Sequence, residues 1–350
     1  MNLFNEYEVV AERLYKENLA KILDNKRVLV TGASGLIGSQ IGKSIILCNK
    51  KYGTHIDLVL HDLNKEVLEK RYGSELNEPG VDTIEGDIRV PFSYKKDVDY
   101  IIHCASSTSS QFFISHPAET IDILLTGTRN MLEFAKEKEV KGFIYLSSLE
   151  IYGDVFDEKV KITENSYHFL DFLNIRSSYP EGKRMCECIC SAYASEYNLP
   201  VFIARLAQTI GADVNPNDNR AFAEFARCAV LGKDIVLKSK GGTIRNYCDV
   251  ADTAIGLFYV LLKGEKGNAY NIANQSTLCS INELAELYCK LSKHDIKVVH
   301  DLSVDAEKLG YNHEIKVNLD STKVEKLGWK PVYSLEDTIN KLITKFEKVF

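Results

Sequence analysis

The sequence lacks an excess of positive charge. Its 43 lysine and arginine residues are outnumbered by 49 aspartate and glutamate residues, which gives a formal net charge of −6 at pH 7. It also lacks a dense cluster of basic residues interleaved with aromatic ones. Proteins that bind nucleic acid need such a basic field to attract phosphates. We therefore expect no nucleic-acid partner.

Long apolar runs are also missing. No uninterrupted stretch reaches the length of about 18 apolar residues that a membrane-spanning helix requires. The N-terminal region carries acidic residues and has no apolar segment of the kind found in secretory signals. The sequence thus predicts no contact with a membrane and a cytoplasmic location. With 45% hydrophobic and 26% charged residues, the chain has the composition of a globular protein with a large core.

Paired cysteine motifs are absent, although the chain has nine cysteines. Cys186, Cys188 and Cys190 alternate within one predicted helix, so their side chains point to different faces and make poor joint ligands. The other six are scattered among apolar neighbours. We expect small buried thiols in a reducing compartment and no metal site.

The most informative segment that is present is a glycine-rich turn directly after an apolar strand at 27–31. Gly32 allows a tight turn, Gly35 lets the main chain approach a pyrophosphate, and Gly38 lets the next helix pack closely. The free N–H groups and positive dipole end of that helix attract an anion. We predict a dinucleotide site here, formed by Gly32, Ser34, Gly35, Leu36, Ile37 and Gly38.

A second apolar strand at 57–61 is followed by Asp62, near the position where a carboxylate binds the adenosine ribose. A carboxylate there repels the additional phosphate of NADP, so the predicted cofactor is NAD. A second phosphate-binding motif, the P-loop, is excluded. Gly42-Lys43-Ser44 is similar to the end of a P-loop, but Ile37 stands where that motif requires glycine.

Apolar strands alternate with helical stretches between residues 27 and 205, at 27–31, 57–61, 82–85, 100–104, 142–147 and 200–205. This alternation is typical of a parallel sheet covered by helices on both faces. The predicted fold is α/β, a Rossmann-type doubly wound parallel sheet with a smaller, discontinuous C-terminal substrate lobe. The predicted units are an N-terminal extension at 1–25 that forms one amphipathic helix, an NAD-binding domain at 26–205 plus about 246–274, and a nucleotide-sugar-binding lobe at about 206–245 plus 275–350.

Tyr179 and Lys183 are candidates for acid–base chemistry because residues four apart share a face of a helix. We predict that this helix begins with a serine cap at Ser177-Ser178, and that the lysine ammonium lowers the pKa of the phenol. Tyr259 and Lys263 have the same spacing but lie in an apolar stretch, so they are predicted to be structural. Tyr179 instead follows the fifth strand, and ligands of such sheets bind beyond the C-terminal strand ends.

Several motifs together resemble the extended short-chain dehydrogenase/reductase family, and more narrowly its nucleotide-sugar epimerase, dehydratase and decarboxylase branch. They are the T-G-x-x-G-x-x-G run at 31–38, Ser147-Ser148 continuing to Tyr152-Gly153, Tyr179-x-x-x-Lys183, and Leu327-Gly328-Trp329-Lys330-Pro331. The segment from Arg176 to Arg184 is most similar to the UDP-glucuronate decarboxylases. The resemblance covers about residues 26 to 340.

The resemblance implies roles for single residues. Ser148 would bind the 4-hydroxyl of the sugar, Tyr179 would remove its proton, and Lys183 would hold the nicotinamide ribose and polarise the phenol. Around the cofactor, Asp87 and Ile88 would bracket the adenine, and Ala105 and Ser106 would lie beside it after the fourth strand. Arg245 would grip the diphosphate of an NDP-sugar, a task suited to a guanidinium, and Gln208 is a further candidate for substrate contact.

Oxidation of C4 can lead to epimerisation, dehydration or decarboxylation. Glu150 matches a glutamate of the dehydratases and decarboxylases, which suggests proton handling near C5. Leu149 replaces the acid that dehydratases use, and Lys316 stands where the decarboxylases place an arginine. The sequence therefore favours a 4-epimerase, with an NDP-uronate decarboxylase or a 4,6-dehydratase as alternatives. A non-catalytic dinucleotide-sensing protein is the alternative from another class.

The family resemblance also implies an assembly. The helices predicted at 112–139 and 179–197 would pair with their copies in a second subunit as a four-helix bundle. We expect a homodimer.

Overall fold

The computed structural model describes residues 5–303 and 314–350. Its strands are β1 (Arg27–Thr31), β2 (Asp57–Asp62), β3 (Val81–Glu85), β4 (Tyr100–His103), β5 (Gly142–Ser148), β6 (Lys161–Ile162), β7 (Val201–Leu206), β8 (Gln208–Ile210), β9 (Ile235–Leu237), β10 (Ile244–Arg245), β11 (Tyr247–Asp249), β12 (Ala269–Ile272), β13 (Cys279–Ser280), β14 (Val298–His300) and β15 (Lys316–Leu319). Its α-helices are α1 (Glu6–Lys16), α2 (Leu19–Leu23), α3 (Leu36–Tyr52), α4 (Lys65–Tyr72), α5 (Ser110–Ser115), α6 (Pro117–Glu137), α7 (Ser178–Glu196), α8 (Ala221–Leu231), α9 (Val250–Lys263), α10 (Ile281–Leu291), α11 (Thr322–Glu325) and α12 (Leu335–Phe346). Short 3₁₀ turns occur at Gly73–Asn77, Leu149–Tyr152, Ile175–Ser177 and Gln275–Thr277.

The central sheet has seven parallel strands in the order β12-β7-β5-β4-β1-β2-β3. The chain moves outward from β1 in one direction and then returns to add β4 on its other side. Ligands of such sheets bind outside the C-terminal strand ends at this switch point. The predicted doubly wound α/β fold is confirmed.

Helices cover both faces of the sheet because side chains along a strand alternate between its two faces. In β1, Val28 and Val30 pack with α1, α3 and α9, whereas Leu29 packs on the opposite face with α6 and α7. All three side chains are fully buried. The strands therefore read as continuous apolar runs.

A separate hydrophobic cluster joins α8, α10 and α12. Next to it lie a four-stranded sheet in the order β13-β10-β15-β6 and the parallel pairs β11-β8 and β14-β9. The chain enters this region after β7 and returns through α9 and β12 to the main sheet. The exact domain boundaries stated above remain a prediction.

Two predicted helices are each divided in the structure. The N-terminal segment forms α1 and α2 instead of one helix, because Asn18 adopts a left-handed conformation with φ of 59° between them. The helix predicted at 112–139 is broken at His116, and Pro117 begins the longer part, α6. Proline has no N–H to donate and is therefore tolerated only in the first turn of a helix, where that N–H would have no partner within the helix.

All nine cysteines are free thiols, and within α7 Cys186 and Cys190 are buried while Cys188 is exposed. No helix among residues 5–303 and 314–350 is long and apolar enough to cross a membrane.

Candidate active site

The glycine-rich turn links β1 to α3 and lies against the chain that follows β4. Gly32 has φ of 64°, and a Cβ there would lie 2.9 Å from the backbone nitrogen of Ala105. A Cβ on Gly38 would lie 2.3 Å from the carbonyl oxygen of Gly32. Gly35 caps α3 without a side-chain hydrogen bond, so the first amides of this 17-residue helix are not capped by a side chain. Side chains at these glycines would close the turn.

Asp62 lies at the end of β2, next to this turn. Its Oδ2 accepts hydrogen bonds from the backbone nitrogen of Ser34 at 2.8 Å and from Ser34 Oγ at 2.7 Å. Arg71 Nε donates to the carbonyl of Ser34 at 2.9 Å, and its Nη1 donates to the carbonyl of Asp213. Asp62 thus presents its carboxyl group beside the glycine-rich turn, and its contact with the adenosine ribose stays a prediction.

The other predicted cofactor residues lie at neighbouring strand ends. Arg89 donates to the Asp87 carboxylate and lowers its pKa. Asn130 Nδ2 donates to the carbonyl of Ile88 at 3.0 Å. Ala105 donates its backbone N–H to Thr31 Oγ1 at 3.2 Å, and Ser106 follows it. Together with the glycine turn and Asp62, these residues form a cradle that fits NAD.

Ser148, Tyr179 and Lys183 come together at the C-terminal end of β5. Ser148 ends that strand, while Tyr179 and Lys183 lie on successive turns at the start of α7. Tyr179 is 8% exposed and Lys183 is 4% exposed. Lys183 Nζ donates to the carbonyl of Leu146 at 2.7 Å and lies 5.8 Å from the centre of the Tyr179 ring.

Burial dominates the electrostatics of this group. It raises the pKa of Tyr179, an effect that Glu150 reinforces and that a hydrogen bond with Ser148 and the charges of Arg176 and Arg220 oppose. Burial also lowers the pKa of Lys183 to about 8. The prediction that Lys183 lowers the phenol pKa is wrong for the protein chain by itself, because desolvation outweighs the neighbouring cations.

The predicted serine cap of α7 is also wrong. Ser177 has helical backbone angles and makes no side-chain cap hydrogen bond. Its Oγ donates instead to the carbonyl of Asp171 at 2.6 Å. Ser178 Oγ donates to the carbonyl of Phe113 at 3.4 Å. The Ser177 hydroxyl therefore holds the preceding loop, and the Ser178 hydroxyl holds α5, against the start of α7.

Glu150 and Arg176 form an ion pair beside Tyr179. Arg176 Nη2 lies 2.8 Å from Glu150 Oε2 and donates to Oε1 at 2.9 Å. The Arg176 guanidinium is also 4.9 Å from the centre of the Phe113 ring. Arg176 is 9% exposed, and its Nε and Nη1 have no hydrogen-bond partner among the described residues. Buried donors of this kind are costly unless a ligand supplies the acceptor.

The two predicted substrate residues of the smaller lobe lie on short strands. Gln208 begins β8, and Arg245 ends β10, which pairs with β13 and β15. Arg245 Nε is buried and has no hydrogen-bond partner among the described residues. It is thus available to an anion such as a diphosphate.

Leu149 and Lys316, on which the choice between epimerisation, dehydration and decarboxylation depends, lie in different surroundings. Leu149 is 4% exposed and belongs to a hydrophobic cluster. Lys316 Nζ pairs with Glu158 Oε2 at 2.8 Å. Lys316 is therefore engaged with another carboxylate.

Arg176, Arg220 and Phe113 also surround Tyr179, although the sequence alone predicts no role for them. Arg176 stands three residues before Tyr179 within the motif itself, which is a signal that could have identified it. Phe113 and Arg220 lie 66 positions before and 41 positions after Tyr179 respectively. Only the fold brings them near the phenol.

A glycine-rich dinucleotide cradle beside a serine, tyrosine and lysine group defines an NAD-dependent Rossmann-fold enzyme. The model of the NAD-dependent epimerase/dehydratase family matches residues 28–273, and the chain belongs to this family. It is thus an NAD-dependent enzyme of the nucleotide-sugar type, and the predicted cofactor is confirmed.

Relatives with several activities resemble the chain. It is 30% identical to UDP-glucuronic acid decarboxylase 6 of Arabidopsis thaliana over 89% of this chain and 86% of the relative. It is 25% identical to dTDP-D-glucose 4,6-dehydratase of Mus musculus over 93% and 90% of the two chains. Its fold is similar to that of DesIV, a dTDP-glucose 4,6-dehydratase from Streptomyces venezuelae solved with NAD, with a TM-score of 0.77, 23% identity and coverage of 92% and 97%. These names span more than one reaction.

Proposed function

We propose that the protein oxidises C4 of a nucleotide-diphosphate uronate and then removes its C6 carboxylate as carbon dioxide. The Arg176 guanidinium carries this proposal, because it is buried beside Tyr179 with two unpartnered N–H groups. A substrate carboxylate is the acceptor that best satisfies such a cation. The similarity to UDP-glucuronic acid decarboxylases supports the same substrate class.

In this proposal Ser148 and Tyr179 act on the C4 hydroxyl. NAD, when bound, accepts the hydride that leaves C4. Tyr179 takes the hydroxyl proton as the general base, and Ser148 orients the sugar oxygen by a hydrogen bond. Lys183 provides positive charge at the phenol and a donor for the cofactor ribose. Arg245 and Gln208 bind the diphosphate side of the substrate.

The second half of the proposed reaction uses the C4 ketone. The ketone is beta to the C6 carboxyl group, so the C5–C6 bond can break with its electron pair entering a C4–C5 enolate. Protonation at C5 then restores the ketone. The hydride first removed from C4 would return to that carbon from the bound cofactor, and Tyr179 would give the proton back to the oxygen. Arg176 orients the carboxylate before it leaves, and Glu150 handles the proton near C5.

A 4-epimerase, which the sequence ranks first, is the second candidate. Leu149 favours it, because an aliphatic side chain next to Ser148 cannot donate a proton. Lys316 is paired with Glu158 and does not offer a free bidentate donor to a substrate carboxylate. The Arg176 guanidinium pairs with Glu150 through Nη2 but keeps Nε and Nη1 without a partner among the described residues. These two donors are why we rank decarboxylation first.

Mass spectrometry of nucleotide sugars incubated with the protein and NAD in deuterated water tests the proposal. The panel includes UDP-glucuronate and UDP-glucose, together with GDP, CDP and dTDP sugars. We expect loss of carbon dioxide from a uronate and one deuterium on carbon. A product of unchanged mass without deuterium but with altered chromatographic mobility would support 4-epimerisation. Loss of water would support a dehydratase, and tight NAD binding without conversion would support a sensor.

Arg176→Lys tests the residue that carries the proposal. We expect decarboxylation to fall by roughly 10- to 100-fold, because charge-assisted hydrogen bonds of a guanidinium are worth about 1.5–3 kcal/mol and an ammonium does not reproduce their geometry. Lys316→Met is the matched control and should leave the rate unchanged. Equal losses in the two variants would refute the assignment of Arg176.

A further inference from the structure

Phe113 is the one buried residue of α5, the six-residue helix that follows β4. It is 2% exposed, whereas Ser110 and Gln111 before it and Ser115 after it are exposed. Its ring stacks on the ring of Tyr179, with centroids 4.2 Å apart and planes 12° from parallel. The short helix therefore contributes to the interior mainly by covering Tyr179.

Backbone and side-chain contacts fix this stack from both sides. Ser178 Oγ donates to the carbonyl of Phe113, so the residue before Tyr179 is tied to the stacking residue. The Arg176 guanidinium lies 4.9 Å from the Phe113 ring centre and 5.9 Å from that of Tyr179. Attraction between a cation and aromatic rings stabilises such an arrangement. The Arg176 guanidinium thus stabilises the stacked rings of Phe113 and Tyr179, and the rings help to hold the guanidinium in place.

We propose that Phe113 is a positioning residue for Tyr179, holding the phenol in the orientation from which it removes a proton and excluding water from one face of its ring. This inference rests on the proposed role of Tyr179 in C4 oxidation. An ordinary core pair would stabilise the fold without affecting proton transfer. A positioning residue alters the protonation and the rate of the group it holds.

The charged and polar groups around Tyr179 predict the sign of the effect. Glu150 disfavours the tyrosinate, while Ser148, Arg176 and Arg220 favour it, and burial outweighs them all. Replacing Phe113 by leucine opens the phenol to water and removes part of that burial. The pKa of Tyr179 should therefore fall while its orientation loosens.

The first measurement does not need a substrate. The near-ultraviolet absorbance of tyrosinate is titrated in the NAD-loaded protein and in Tyr179→Phe, and the difference isolates Tyr179. We expect Phe113→Leu to move this difference titration to lower pH by roughly 1 unit. Phe113→Tyr, compared with its own Tyr179→Phe double variant so that the added phenol cancels, should titrate like the unmodified protein. Phe112→Leu is the control, because Phe112 lies on the same helix but stacks on His116. If the titration of Tyr179 does not move in Phe113→Leu, Phe113 is not a positioning residue. This outcome does not depend on which reaction the protein catalyses.

The second measurement uses turnover of whichever nucleotide sugar the panel identifies. Phe113→Leu should lower kcat by roughly 10-fold or more with little change in KM, since small misplacements of a catalytic group cost that much. In the pH profile of kcat, the acid limb of Phe113→Leu should shift to lower pH, as the tyrosinate titration does. A rise in KM with unchanged kcat would show that Phe113 contacts substrate and does not position the base. Should Phe113→Leu fail to fold, Phe113→Met carries the same test.

Discussion

At the scale of single residues, the environment of a tyrosine matters more than its spacing from a lysine. Lys263 Nζ lies 4.4 Å from the centre of the Tyr259 ring, closer than the 5.8 Å between Lys183 Nζ and the Tyr179 ring centre. Yet the Tyr259 hydroxyl donates to the Glu17 carboxylate, away from the strand ends. Tyr179 instead meets Ser148 at the end of β5. This difference separates a candidate general base from a structural residue.

Tyr179→Phe and Tyr259→Phe form a matched pair that tests this distinction. We expect Tyr179→Phe to reduce kcat by about 10²- to 10⁴-fold, the usual contribution of a general base. Tyr259→Phe removes one hydroxyl contact with Glu17 and should leave kcat unchanged. Product formation is followed by mass spectrometry and NAD binding by calorimetry. Activity of Tyr179→Phe within about tenfold of the unmodified protein would exclude the phenol as the base.

The sequence identifies candidate residues better than it predicts their surroundings. Ser148, Tyr179 and Lys183 could be predicted to lie near one another, because the sequence shows both the Tyr-x-x-x-Lys motif and the end of the strand that carries Ser148. The pKa of Tyr179 was predicted in the wrong direction, because desolvation depends on the whole shell around it. Phe113 and Arg220 owe their places beside Tyr179 to tertiary packing, which local patterns do not encode.

At the scale of elements, α1 is tied to the rest of the protein by a buried charge network. Glu6 Oε1 lies 2.9 Å from Lys341 Nζ, which in turn lies 2.6 Å from Asp249 Oδ2. Asp252, fully buried nearby, accepts hydrogen bonds from the backbone nitrogens of Val332 and Tyr333. Two carboxyl groups thus pair with one ammonium group, and the third, that of Asp252, is held by backbone N–H groups. Burial and the Asp249 charge accordingly raise the pKa of Glu6 to about 7 and that of Asp252 to about 7.

Glu6→Gln should remove a pH-dependent contribution of α1 to the stability of the protein. A carboxyl group whose pKa is higher in the folded than in the unfolded state stabilises the fold at low pH, and this contribution is lost as the pH rises through about 7. We expect the free energy of unfolding of the unmodified protein, relative to that of Glu6→Gln, to decline by about 1–2 kcal/mol between about pH 4.5 and 7. Denaturant unfolding across this range measures it.

The control for this prediction is Glu8→Gln. Glu8 lies on the same helix and pairs with Lys51, but its side chain is 28% exposed. Glu8→Gln should leave the pH dependence of the free energy of unfolding unchanged. Identical slopes in Glu6→Gln and the unmodified protein would mean that folding does not raise the pKa of Glu6.

Element types were predictable from local periodicity, whereas element ends were not. Six of the seven strands of the main sheet, all except β12, lie within one or two residues of their predicted positions, because buried parallel strands are continuous apolar runs. The breaks at Asn18 and His116 were missed. Apolar spacing continues across both positions, and only the backbone conformation there reveals the end of a helix.

At the scale of the whole molecule, a large apolar surface lies beside the candidate active site. Between β6 and α7, Tyr167, Phe169, Phe172 and Leu173 are 65% to 91% exposed. The backbone of this segment is tied to the site, since Arg184 donates to the carbonyl of His168. Soluble monomers rarely expose contiguous apolar patches of this kind. The packed helices α6 and α7 add Ile121 and Met185, which are 40% and 51% exposed.

We expect two copies of the chain to associate through α6 and α7, as the family resemblance implies. A stable interface buries about 1,200–2,000 Å² and places apolar side chains at its centre. Sedimentation should therefore give a dimer at micromolar concentration, and Met185→Glu should shift it towards monomer by placing a charge in that centre. Leu231→Glu is the control, because Leu231 is a similarly exposed residue, at 43%, on α8 in the smaller lobe. A monomer for the unmodified protein, or a dimer that tolerates Met185→Glu but not Leu231→Glu, would move the interface away from α6 and α7.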